Sequence, residues 1–216
     1  MPEPLAEFCA DTRHDAAVRT LAARGTVRRY RKGTILIQEG DTGETVFILL
    51  SGRVKVYSSA SNDKEITFGV FEAGDYFGEM ALDGGTRSAN VITLEASACA
   101  VVTRTTLLAF IAEQPEFALV LLSKVIRRLR LATRDARNLA FIDVYGRLAR
   151  CLKDLAIPQA DGTQMIPERL THQEIASRVG CSREMVSRIL KDLQSGGYVR
   201  IVERRIRLVA RLPQRW

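Results

Sequence analysis

The chain has 216 residues, enough for one or two hydrophobic cores, and its 46% hydrophobic and 26% charged residues are ordinary for a globular protein. No apolar run approaches the roughly 20 residues that a membrane-spanning helix needs. The net charge of +7 is uneven: residues 167–216 hold eleven Lys and Arg against five Asp and Glu, giving +6, and the first 166 hold 21 against 20, giving +1. A basic final quarter is the electrostatic footprint of nucleic-acid binding, although a solvated face or a membrane-surface patch has the same charge.

The opening Met-Pro-Glu-Pro lacks a charged-then-apolar signal pattern, so a cytoplasmic protein with no membrane partner is expected. Cys9, Cys99, Cys151 and Cys181 are far apart and form no C-x-x-C pair, which supports neither a metal knuckle nor a disulfide framework. His14 and His172 are the only histidines, and no Ser/His/Asp set or metal-ligand spacing surrounds them. An enzyme is therefore not expected.

In chain order, residues 1–29 read as a helical lead-in, with Leu5, Phe8, Val18, Leu21 and Ala22 as its apolar contributors. Strand signals follow over residues 34–103. They are 34–38, the buried run 46–50, the alternating Val54, Val56 and Ser58, then 66–71, 91–94 and 98–103. Turns at 38–41, Ser51-Gly52 and 72–75 separate them. Short strands punctuated by glycine predict an all-β roll or barrel.

Residues 78–91 interrupt this pattern with a chemically distinctive run. Gly78 precedes the carboxylate of Glu79, a flexible Gly84-Gly85 pair follows, and Arg87-Ser88 closes the segment. Glycine leaves backbone N–H groups open to an anion. Arg87 can fork onto phosphate oxygens, Ser88 can add a hydroxyl, and Glu79 can accept from a sugar hydroxyl. The candidate ligand-binding set is Gly78, Glu79, Met80, Arg87, Ser88 and Ala89. A hairpin turn with an ordinary surface arginine is the plainer alternative.

The strand pattern and this run together resemble the cyclic-nucleotide-binding β-roll. The residues that carry the resemblance are Gly33, Gln38-Glu-Gly-Asp, Val46-Phe-Ile-Leu-Leu-Ser-Gly-Arg-Val-Lys-Val, Gly74-Asp-Tyr-Phe-Gly-Glu and Arg87-Ser-Ala. The resemblance implies that Gly78 and Ser88 meet the phosphate, Arg87 pairs with its charge and Glu79 holds the ribose hydroxyl.

A long helix is predicted over residues 115–140. Ala118, Leu122, Val125, Leu129, Ala132, Ala136 and Leu139 are spaced as a coiled-coil seam, and Lys124, Arg127, Arg128, Arg130 and Arg134 crowd its other faces. A homodimer is expected, with a helix packed on its own domain as the alternative. Residues 138–147 read as a hinge, 147–156 as another helix and 158–164 as a polar loop.

Thr171-His-Gln-Glu174 is a capping box that opens a short helix, and Gly180 supplies the turn after it. Ser182 caps a second helix with Val186, Ile189, Leu190 and Leu193 facing inward. Residues 198–210 read as a β-hairpin wing around Glu203-Arg204-Arg205. This is a winged helix-turn-helix. The candidate DNA-binding residues are Thr171, Gln173, Ser182, Arg183, Glu184, Ser187, Arg188, Lys191, Arg204 and Arg205. Arg183, Glu184 and Arg188 suit base edges, because Arg bonds guanine and Glu accepts from cytosine. Lys191, Arg204 and Arg205 suit phosphates.

Residues 171–193 are similar to the signature of the cyclic AMP receptor protein/FNR superfamily of bacterial transcription regulators. The expected fold is α+β, with a sensor roll over 1–114, a dimerisation helix and hinge over 115–142 and a winged helix-turn-helix over 143–216. The resemblance implies a dimer on palindromic double-stranded DNA, a cyclic nucleotide effector with cyclic AMP first, no metal, and RNA polymerase as a further partner. Two departures leave the effector open. The segment between Glu79 and Arg87 is slightly short, and Ala132-Thr133 stands where Thr-Ser meets adenine in the family, which leaves Thr133 alone as a base contact. Cyclic di-GMP, cyclic GMP and ligand-independent regulation therefore stay open. So does a signalling module that only docks protein.

Overall fold

A computed structural model describes residues 1–59 and 65–213. Residues 214–216, at the end of the expected third segment, lie outside the described residues. The chain divides into two compact units, Met1–Ser58 with Thr67–Leu129, and Ser59–Ile66 with Arg130–Trp216.

The first unit opens with helices α1 (Glu3–Ala10) and α2 (Ala16–Ala23). Asp15 caps α2 by accepting from the N–H groups of Ala17 and Val18. The helical lead-in stops there. Residues 26–29 belong to strand β1 (Thr26–Tyr30), which corrects the expected helix. They form an edge strand on which only Val27 and Tyr30 are half-buried, so a charged strand shows no apolar run.

Strands β2 (Ile35–Ile37), β3 (Thr45–Ser51), β4 (Val54–Ser59), β5 (Glu65–Phe71), β6 (Tyr76–Phe77), β7 (Asn90–Thr93) and β8 (Ser97–Thr103) complete the roll. They form two sheets of order β1-β8-β3-β6 and β2-β7-β4-β5. Strand β3 reads as a continuous apolar run because both its faces are covered. Val46, Ile48 and Leu50 pack in one core with Leu5, Phe8, Val18 and Leu21, while Phe47 and Leu49 pack in another with Ile37, Val54, Phe77 and Val91. Helix α3 (Arg104–Glu113), which no expectation covered, is capped by Thr103 and buries Leu107 and Phe110.

Helix α4 (Phe117–Phe141) matches the expected long helix within a residue or two. The whole proposed seam is exposed, including Leu122 at 52% and Leu129 at 64%. The basic residues do not all crowd open faces: Lys124 and Arg128 are half-buried against the roll. Among the described residues no single helix is long and apolar enough to cross a membrane.

In the second unit, helix α5 (Val144–Leu155) begins three residues before the expected start. Its cap is Asp143, which accepts from the Gly146 N–H at 2.7 Å, so part of the expected hinge is helix. The expected polar loop at 158–164 is the tip of a hairpin between β9 (Ile157–Pro158) and β10 (Gln164–Met165). Helices α6 (His172–Val179) and α7 (Arg183–Ser195) precede the wing strands β11 (Val199–Val202) and β12 (Arg205–Leu208). The hairpin joins the wing in one sheet of order β11-β12-β10-β9.

Candidate functional site

The run at 78–91 brings Gly78 and Arg87 together on a set of supports that the sequence did not reveal. Gly78 has φ +88°, a conformation that side chains rarely adopt, and Glu79 opens a 3-10 turn over Glu79–Asp83. Arg87 is 7% exposed. Its Nη1 donates to the Gly78 carbonyl at 2.8 Å and its Nη2 to Thr45 Oγ1 at 3.1 Å. Its backbone is fixed too, with Arg87 N–H donating to the Asp41 carbonyl and the Gly40 N–H donating to the Arg87 carbonyl.

Room for the guanidinium comes from two glycines. A Cβ on Gly43 would lie 2.8 Å from Arg87 Nη2, and one on Gly78 would lie 2.8 Å from Nη1. Burial pushes the Arg87 guanidinium below its ordinary pKa, while Glu79 and Asp41 pull it upward. Among the described residues no carboxylate lies within ion-pair distance of Arg87. Both protein acceptors named above are neutral oxygens.

The other candidates surround this point. Glu79 is 9% exposed, whereas Met80 is 60% exposed. Ser88 is exposed, and its hydroxyl lies 3.3 Å from Met80 Sδ. Ala89 is half-buried. Thr133 is exposed on the C-terminal part of α4, in the second unit.

Sequence reasoning missed the group that holds Glu79. Arg128 Nη1 pairs with its carboxylate, and Arg128 Nη2 donates to the Tyr76 carbonyl at 2.5 Å. The guanidinium also lies 4.5 Å from the Phe71 ring centroid. Gly43 and Thr45 were missed as well. Only the i, i+4 repeat of Lys124 and Arg128 hinted that one stripe of α4 was special.

In the second unit α6 and α7 pack through Ile175, Ala176, Val179, Val186, Ile189, Leu190 and Leu193. Their caps form as expected. Thr171 and Glu174 make the full capping box, and Ser182 Oγ accepts from the Met185 N–H at 3.2 Å. Gly180 turns the chain between them at φ +70°. Arg147 braces this turn, donating to the carbonyls of Val179 at 2.9 Å and Ile142 at 2.8 Å.

Burial of the apolar stripe leaves Arg183, Glu184, Arg188 and Lys191 exposed along α7, with Gln173 exposed on α6. Ser187 is different: it is half-buried, and its hydroxyl is 2.7 Å from His172 Nδ1. The wing turn holds only Glu203 and Arg204, at φ +51° and +64°. Arg204 sits exposed at this tip. Arg205, expected in the turn, lies half-buried in β12, paired opposite Val202.

Comparisons with known proteins match a family to each of the two regions. The cyclic nucleotide-binding domain family matches residues 27–114, and the Crp-like helix-turn-helix domain family matches residues 146–212. The chain is 36% identical to the cAMP-activated global transcriptional regulator Vfr of Pseudomonas aeruginosa, over 81% of this chain and 85% of that protein. It is 33% identical to a CRP-like cAMP-activated global transcriptional regulator of Mycobacterium tuberculosis, over 80% of this chain and 79% of that one. Among solved structures, the c-di-GMP responsive global regulator CLP of Xanthomonas campestris superposes with a TM-score of 0.79 at 30% identity. That match covers 91% of this chain and 100% of CLP. A β-roll, a long helix and a winged helix-turn-helix, matched over most of the chain by such relatives, place it in the cyclic AMP receptor protein/FNR superfamily of transcription regulators, not among enzymes.

Proposed function

We propose that the chain is a homodimeric, cytoplasmic DNA-binding regulator whose promoter affinity is set by cyclic AMP bound at residues 78–91, a cassette for its phosphate and ribose. The observation that carries this reading is Arg87, a buried cation that faces neutral oxygens. A buried cation with no carboxylate at ion-pair distance is costly, and a cyclic phosphate would supply a direct partner. Arg87 would fork onto the phosphate, with Gly78 and Ser88 beside it. Glu79 would accept from the ribose hydroxyl, Met80 and Ala89 would line the sugar, and Thr133 would donate to the base. Cyclic AMP is first choice because the regulators of Pseudomonas aeruginosa and Mycobacterium tuberculosis are cAMP-activated.

On the output side, Arg183, Glu184 and Arg188 would read base edges in the major groove. Thr171, Gln173, Ser182, Ser187, Lys191, Arg204 and Arg205 would fix the protein on the backbone. The exposed seam of α4 would pair with a second copy, so that two α7 helices meet a palindrome at a spacing of about one DNA turn. Ligand would act by binding the DNA-competent state more tightly, through the segment at 141–145. The hairpin tip at 158–164 would meet RNA polymerase.

A second effector is favoured by two observations. Ala132 has no donor for adenine, and CLP is c-di-GMP responsive. Calorimetric titration with cyclic AMP, cyclic GMP and cyclic di-GMP separates these readings, and anisotropy on duplex DNA with each ligand gives the output. If none binds below millimolar, effector control by a cyclic nucleotide fails. Equal DNA affinity with and without saturating ligand would remove the switch but leave the DNA reader.

A further inference from the structure

Helix α4 touches the roll along a stripe distinct from its exposed seam. Val120, Lys124 and Arg128 recur every four residues and all meet the short segment at 75–79. The Tyr76 hydroxyl donates to the Val120 carbonyl at 3.4 Å. Lys124 Nζ lies 2.7 Å from Asp75 Oδ1 and 4.1 Å from the Tyr76 ring centroid. Arg128 takes the Tyr76 carbonyl and the Glu79 carboxylate. Three successive turns of the helix thus hold a single tyrosine by its hydroxyl, ring and backbone. Two cations one turn apart grip the carboxylates on either side of β6.

The two cations are not equivalent. Arg128 holds Glu79, which belongs to the cassette, so a ligand that engages Glu79 must share or loosen that pair. Lys124 holds Asp75, which lies outside the cassette and need not exchange partners. We propose that Lys124 is a positioning residue, the fixed point on which α4 is held to the roll while Arg128 responds to the occupant of the cassette. This rests on the reading that Glu79 meets the effector.

The site differs from a surface ion pair in two respects. The Lys124 and Asp75 side chains are only 25% and 34% exposed. The ammonium also lies over an aromatic face, which favours a cation as water is withdrawn. Desolvation is the leading influence on Lys124 and pulls its pKa below the ordinary value, against the opposing pull of Asp75. The ammonium therefore depends on both partners, and Lys124→Met, which keeps the stem and removes the charge, frees α4 at this turn.

The test uses the full chain and compares wild type, Lys124→Met and Lys124→Arg. Hydrogen exchange of residues 117–129 is read without ligand, and DNA anisotropy is read with and without cyclic AMP. Lys124→Met is expected to speed exchange in this segment and to cut the ligand-induced gain in DNA affinity about five-fold or more, with Lys124→Arg near wild type. Unchanged exchange in Lys124→Met overturns the proposal, and so does faster exchange with an unchanged gain. Lys124→Arg behaving as Lys124→Met overturns the role of the charge. If calorimetry shows no cyclic AMP binding to wild type, the effector reading fails by itself. The arm without ligand then decides, and equal DNA affinity and exchange in wild type and Lys124→Met refute the fixed point.

Discussion

Arg128 joins two parts of one short segment: its Nη2 donates to the Tyr76 carbonyl at 2.5 Å while its Nη1 pairs with the Glu79 carboxylate. The carboxylate side chain is 7% exposed and the arginine 26%. Removing the arginine leaves a desolvated carboxylate without its cation. Arg128→Ala is expected to cost the roll about 1–3 kcal/mol, below the range for fully buried pairs because the arginine keeps some solvent. Arg128→Lys should lose less, since an ammonium keeps the charge but not the fork that spans both acceptors. Urea unfolding followed by circular dichroism measures both. A midpoint for Arg128→Ala equal to that of wild type would reduce the pair to a surface contact.

Two glycines separate damage to the cassette from damage to the fold. A Cβ on Gly78, at φ +88°, would sit 2.8 Å from both Arg87 Nη1 and the Thr45 carbonyl. At Gly52, φ +86°, it would sit 2.3 Å from Ser97 Oγ and 2.6 Å from the Ala96 carbonyl. Both alanine variants should lose roughly 1–3 kcal/mol through backbone strain and clash. Only Gly78→Ala displaces the guanidinium, so only it should abolish cyclic nucleotide binding by calorimetry among molecules that remain folded. Equal losses of binding in the two variants would mean that the cassette reports global stability alone.

The parts of this architecture that were legible in the sequence are those fixed by local chemistry. Thr171 with Glu174, Ser182 and Gly180 bound the two short helices because caps and left-handed turns depend on a few neighbouring residues. The buried β3 run was clear because both its faces are covered. Strand β1 was not, since its charged residues sit at an edge and leave no period to read. The placing of Arg87 between Gly43 and Gly78, and the grip of Arg128 on Glu79, join residues 44 and 49 positions apart in sequence. Such pairs follow from the closing of the roll, which single-residue spacing does not encode.

On the DNA side, two exposed arginines stand at different places in the fold. Arg183 opens α7 and is exposed, whereas Arg204 stands at the two-residue tip of the wing. Arg183→Ala is expected to lose roughly 1–3 kcal/mol of discrimination at one guanine. Arg204→Ala should weaken binding to all sequences alike and lower the salt slope by about one ion. Anisotropy against a panel of single-base variants over a range of salt distinguishes them. Unchanged sequence preference in Arg183→Ala would remove it from the reader set.

Cys99 provides a prediction about stability against pH. It is fully buried between the two sheets of the roll, and desolvation pushes its thiol from 9.0 to about 12. Cys151, packed in the core of the second unit, is pushed to about 11 for the same leading reason. Below about pH 9 the thiol stays protonated in both folded and unfolded chains, so neither residue makes stability depend on pH there. As pH rises above 9 the unfolded chain ionises first and releases protons that the folded chain keeps. The unfolded state then binds fewer protons, and folding stability falls by at most about 1.4 kcal/mol per pH unit for each thiol, until the folded pKa is passed. Lysines and tyrosines titrate in the same window, so the informative quantity is the difference between wild type and Cys99→Ala. The variant starts less stable because it leaves a small cavity, and its deficit should shrink from pH 9 upward. A deficit that stays constant from pH 8 to 11 in urea unfolding would show that the Cys99 thiol ionises no later in the folded chain than in the unfolded one.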